Sequence, residues 1–152
     1  MPPGYGEPVH GPEVMTTTAR EQLASGLAAR LSREPDVLVA YLYGSHARGT
    51  AGPGSDVDVA VLLDEGADRA QRRLELQASL GEAVDLVVLN DAPVALAYRV
   101  LRDGVVLTSR DEQARIEHWV RTVDRYLDTV PMRRVLDAGL RHRLEEGRFG
   151  RS

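Results

Sequence analysis

Val37-Leu38-Val39-Ala40-Tyr41-Leu42-Tyr43-Gly44-Ser45, then ten residues, then Asp56-Val57-Asp58-Val59-Ala60-Val61-Leu62-Leu63, is the stretch that decides the fold. The first run is β-branched and aromatic and stops at a glycine, which predicts a buried strand feeding a tight turn. Gly44 has no Cβ, so the turn can take a positive φ and bring its backbone close to a ligand. Ser45 adds a hydroxyl and an amide. A short helix beginning near His46 would aim further amides at a bound anion. Thr50-Ala51-Gly52-Pro53-Gly54 is turn chemistry, so the next strand is expected from about Ser55 to Leu63.

Side chains alternate along a strand. Asp56 and Asp58 therefore share one face, while Val57, Val59 and Val61 pack the other. Two carboxylates about 6 Å apart repel by roughly 3 kcal/mol at an effective dielectric of 20, a cost that a divalent cation reverses. Hard oxygen donors on a short strand suit magnesium, which keeps waters and takes substrate phosphate oxygens. A third carboxylate, Asp85, interrupts the apolar run Ala83-Val84-Asp85-Leu86-Val87-Val88-Leu89. A charge in a buried strand calls for a partner. If this strand lies beside the one bearing Asp56 and Asp58, the three acids converge, and Asp85 serves as a further metal ligand or as a base.

Gly44-Ser45-His46-Ala47-Arg48-Gly49, followed by Ser55-Asp56-Val57-Asp58-Val59-Ala60-Val61 and Val84-Asp85-Leu86-Val87, resembles the minimal nucleotidyltransferases of the polymerase β superfamily. The likeness runs from about Val37 to Leu107, and the small size is most similar to the MntA-type antitoxins. It implies an α+β fold, a small mixed β-sheet core with flanking helices and a C-terminal helical segment. It implies an enzyme that moves AMP from ATP to a hydroxyl and releases pyrophosphate. In that reading Gly44, Ser45, Arg48 and Ser55 hold the triphosphate. Asp56 and Asp58 bind magnesium, with two ions expected, and Asp85 completes the site as base or third ligand. Arg48 offsets phosphate charge. His46 reads as a turn residue rather than a catalyst.

The resemblance also implies a partner, a HEPN-type ribonuclease toxin encoded nearby and silenced by AMP added to a tyrosine, the two chains forming a hetero-oligomer. This chain lacks an arginine followed four to six residues later by a histidine, the spacing similar to the HEPN motif, so it reads as the modifying half. Two alternatives remain. An aminoglycoside-like small-molecule nucleotidyltransferase shares the core but carries a larger acceptor domain, and only about forty residues follow Ser109. A non-catalytic toxin-binding module has no need for three clustered acids.

Composition agrees with a compact enzyme. Of 152 residues, 43% are hydrophobic and 28% charged, ordinary values for a globular chain. No cysteine is present, which excludes disulfides and thiolate metal sites. The start Met1-Pro2-Pro3-Gly4-Tyr5-Gly6 has no leader pattern and no apolar run reaches membrane-span length, so a cytoplasmic location without membrane association is expected. A net charge of −4 makes no case for general nucleic-acid binding. All nineteen basic side chains are arginine, spread along the chain.

Three regions are expected: residues 1–14 as a flexible Pro/Gly-rich tail, 15–110 as the nucleotidyltransferase core, and 111–152 as a helical segment packing on the core, with a partner contact as a further option. Helices are predicted over Thr16–Ser32, capped by Thr16 or Thr17, then over Asp68–Leu80 and Ala92–Arg102, with a short strand at Gly104–Leu107. From Asp111 onward, Ile116, Trp119, Val120, Val123, Tyr126, Leu127 and Val130 form an apolar stripe. The stripe is expected to pack on the chain's own sheet, a partner interface being the alternative, and Pro131 to end or kink the helix.

Overall fold

The computed structural model describes residues 17–52 and 56–149. The expected tail, the Thr16 cap and Ser55 lie outside the described residues. Elements follow in the order α1 (Thr17–Leu31), β1 (Val37–Tyr43), α2 (Ser45–Arg48), β2 (Val57–Leu63), α3 (Arg69–Leu80), β3 (Val84–Val88), a 3-10 turn (Leu89–Asp91), α4 (Val94–Asp103), β4 (Val105–Ser109) and α5 (Glu112–Phe149). The four strands form one mixed sheet in the order β3-β2-β1-β4. β1 runs antiparallel to both β2 and β4, and β2 runs parallel to β3 across the α3 crossover. The fold is α+β.

Alternation sorts each strand between two cores. Val57, Val59, Val61 and Leu63 of β2 join Val37, Ala40 and Leu42 of β1 beneath Leu27 and Leu31 of α1 and Leu76 of α3. Ala60 and Leu62 face the other way, with Val39, Tyr41, Leu89 and α4 residues Ala97 and Val100. Both faces of the sheet are covered, which is why β1 and β2 read as near-continuous apolar runs. Val59 and Val61 are fully buried, so truncating either to Ala costs about 2 kcal/mol.

Short-range polar chemistry fixes the ends of these elements. Asp68 caps α3 by accepting from Gln71 N at 3.2 Å. Gln77 of α3 donates to Gly81 O at 2.9 Å and to Val84 O, and accepts from Leu86 N at 3.3 Å, satisfying the open edge of β3. Arg72 clamps α3 to the α1–β1 connection, donating to both Asp36 oxygens at 2.6 and 2.9 Å and to Glu34 at 3.3 Å. This guanidinium holds the Asp36 carboxyl below the usual carboxylate range, outweighing the opposing effect of burial.

α5 does not end at Pro131 but continues to Phe149. Pro131 forfeits only the bond its missing amide would give Leu127 O, and both residues are exposed, so water can satisfy that carbonyl. Much of the apolar stripe faces outward: Ile116, Trp119, Val120 and Leu127 are 45–58% exposed, whereas Val123, Tyr126 and Val130 are half-buried. His118 and Thr122 occupy the inward face instead, both buried, and Tyr126 stacks on Tyr98 of α4 with ring centroids 3.7 Å apart.

Candidate active site

β1 delivers its chain into a turn that only glycine makes without strain. Gly44 has φ 75° and ψ −153°, and a Cβ there would collide with Asp58 Oδ2. The backbone of the turn therefore lies directly against a carboxylate. α2 begins at Ser45 and closes with Gly49 in the left-handed region, whose amide returns to Ser45 O. Arg20 of α1 braces this turn from behind by donating to Ala47 O at 3.2 Å.

Register brings the acids to the same place. Asp58 sits opposite Tyr43 on one side and opposite Asp85 of the parallel neighbour β3 on the other. Asp56 precedes β2 and is exposed, as is Asp85, whereas Asp58 is partly buried. Burial, then the charges of Asp85 and Asp56, push the Asp58 carboxyl above its ordinary range, and His46 and Arg48 oppose that shift. Tyr43 is driven up to about 12 by burial and by Asp58 and Asp85, so its phenol stays protonated.

Among the described residues none of the three acids forms an ion pair. Nor are three His, Cys, Asp or Glu side chains gathered closely enough there to hold a metal unaided. The expected convergence is thus tightest for Asp58 and Asp85, with Asp56 outside the strand. The donor set still fits magnesium: hard carboxylates that repel one another, only partly offset by His46 and Arg48, beside a glycine turn at the mouth of a cleft.

A cleft of about 410 Å³ opens at this point, lined by Tyr43, Gly44, Ser45, Arg48 and Asp58 and closed by Leu96, Arg99 and Asp103 of α4. Gly44, Ser45, Arg48 and Asp58 were expected from sequence. Arg99 and Asp103 were not, because charges four apart on a helix read as its solvated side. His46 is not a turn residue: it belongs to α2 and is buried. Asp56 and Asp85 do not line the cleft, although both charges act on Asp58.

Residues 26–113 match the family Polymerase beta, Nucleotidyltransferase. The chain is 33% identical over 100 residues to the protein adenylyltransferase MntA of Shewanella oneidensis, spanning 61% of this chain and 72% of that protein. A crystal structure of a toxin-antitoxin pair with AMP-PNP superposes with a TM-score of 0.63 at 28% identity, covering 76% of this chain and 97% of that one. A structure of a tri-AMPylated Shewanella oneidensis HEPN toxin with its MNT antitoxin gives 0.59 at 26% identity, covering 79% and 98%. With its mixed sheet, glycine turn and strand-borne acids, this chain belongs to the polymerase β nucleotidyltransferase family, among the relatives of MntA.

Proposed function

We propose that this chain transfers AMP from ATP to a hydroxyl, a tyrosine of a HEPN-type toxin, and thereby acts as the antitoxin of that pair. The observation that carries the reading is the contact between the Gly44 turn and Asp58, with Asp85 one strand away. A glycine turn against Asp58 in the cleft, with Asp85 in register beside it, supplies the parts of nucleotidyl transfer. Likeness to a protein adenylyltransferase and to toxin-antitoxin complexes supports the acceptor.

In this reading the backbone and hydroxyl of Ser45, with Gly44, receive the triphosphate. Arg48 and Arg99 line the same cleft and offset its negative charge. Ser55 joins the phosphate contacts. Asp56 and Asp58 hold magnesium, which when bound supplies Lewis-acid stabilisation to the phosphate oxygens and the leaving pyrophosphate. Asp85 accepts the acceptor hydroxyl's proton while that oxygen bonds to the α-phosphorus and the bond to pyrophosphate breaks. The protonated Tyr43 phenol adds no negative charge to the group of acids.

The toxin covers the outward face of α5, in our reading, because Ile116, Trp119, Val120 and Leu127 form an apolar stripe with no partner on the chain's own sheet. Trp119→Glu should weaken the complex by about tenfold or more in a binding titration. Undiminished affinity would place the toxin elsewhere. Incubation with α-labelled ATP, magnesium and the neighbouring gene's protein tests the transfer itself. Label on that protein supports the reading, and ATP turnover without label on it contradicts the acceptor.

A further inference from the structure

A second cavity, of about 460 Å³, lies at the opposite end of β2, between α4, α5 and the 3-10 turn. Leu62 in its wall is four positions along the strand from Asp58, or roughly 13 Å at about 3.3 Å per residue. Its size falls in the range of small-molecule sites. Arg69, Arg121 and Arg125 line it, and among the described residues Glu65 is the one carboxylate that does so. Arg69 pairs with Asp91 at 2.9 Å. Arg121 and Arg125 make no ion pair among the described residues.

His118 supplies a second and independent observation. It lines the same cavity and is 7% exposed, and its Nδ1 has no hydrogen-bond partner among the described residues. Nε2 has only a long 3.5 Å contact with Thr122 Oγ1. A buried ring nitrogen left unpaired is costly unless a water or ligand completes it. Asn90, whose amide bonds to Leu63 N and O at 2.9 Å each, does not bond to it. The floor is apolar, formed by Leu62, Leu89 and Ala97, and the first turn of α4 opens onto the space at Val94. Its free amides favour an anion there.

We infer that this cavity is a second ligand site, which takes a small molecule bearing a phosphoryl group, with Arg121 and Arg125 as the cationic clamp. The two guanidiniums stand one helical turn apart on α5 and suit the several oxygens of a phosphate. A phosphoryl oxygen, or a water it holds, supplies the partner that His118 lacks. The apolar floor accommodates the rest of the ligand. A free inorganic anion and a nucleotide share this chemistry. They differ in whether the floor is used.

The test is an NMR titration of the imidazole resonances, with His118 assigned by His118→Gln. Inorganic pyrophosphate, AMP and citrate are added separately in metal-free buffer to the full chain. The expected result is a saturable His118 shift with pyrophosphate and AMP, about tenfold weaker in Arg121→Gln/Arg125→Gln and retained in Asp58→Asn. Tighter binding of AMP assigns the site to a nucleotide, and tighter binding of pyrophosphate assigns it to a free phosphate anion. Absence of a shift at millimolar ligand overturns the inference. So does an equal response to citrate, or a response that survives loss of both arginines.

Discussion

The two ends of β2 gather different charged groups over similar volumes. At one end the Gly44 turn and Asp58 share a cleft of about 410 Å³, with Asp85 alongside on β3. At the other, Arg69, Arg121 and Arg125 line about 460 Å³. Cavity size alone would favour the arginine end. What separates them is the kind of ligand each suits: register sets the carboxylates of Asp58 and Asp85 side by side at one end, and three guanidiniums face one lining carboxylate, Glu65, at the other. Nucleotidyl transfer belongs at the acidic end, because carboxylates can hold the metal that a triphosphate requires and guanidiniums cannot.

Removing the acids should have the largest effect. Asp58→Asn is expected to lower transfer by about a thousandfold or more in a saturating-ATP assay. The same change should raise stability by about 1 kcal/mol or less, seen in urea melts, because it relieves the like charges of Asp58 and Asp85 in register. The sign follows from the raised Asp58 carboxyl: its ionisation opposes folding as pH rises through that elevated range, so the gain is present at neutral pH and vanishes in strong acid. Asp85→Asn should lower kcat by about a hundredfold while leaving ATP affinity nearly unchanged. A matched loss of ATP affinity would make Asp85 a metal ligand instead.

The basic end should show itself in pH dependence. Burial, then Arg121 and Arg125, lower His118 to about 4, and Arg69 and Glu65 line the same cavity. Its neutral form is stabilising above the ordinary histidine range. That contribution is lost as pH falls from about 6.5 towards 4, a destabilisation of roughly 2–3 kcal/mol, which His118→Gln should flatten in melts across that range. A clamp remote from both ends sets the lower bound. Arg72→Met should cost about 1 kcal/mol of stability and leave transfer untouched, because Arg72 joins α3 to Asp36 and Glu34 away from either cavity.

Much of the acidic end was legible in the sequence. The Val37–Tyr43 run ends on glycine, and the Asp-x-Asp alternation places Asp58 away from the Val57, Val59 and Val61 core. Asp85 stood out as a charge within an apolar run, and β3 does lie beside β2. The basic end was illegible for a physical reason. α5 turns Ile116, Trp119, Val120 and Leu127 of its stripe outward and its His118–Thr122 face inward, and periodicity reports that a helix has two faces without saying which one the core covers. Arg99 and Asp103 escaped notice for a related reason, since only tertiary packing of α4 brings them to the Gly44 turn.

The central claim is most directly tested by intact-mass analysis of both chains after incubation with ATP, magnesium and the neighbouring gene's helical protein. The account predicts a gain of whole AMP units on the partner, absent with Asp58→Asn. An unmodified partner, with ATP bound and the wild-type chain folded, would contradict it.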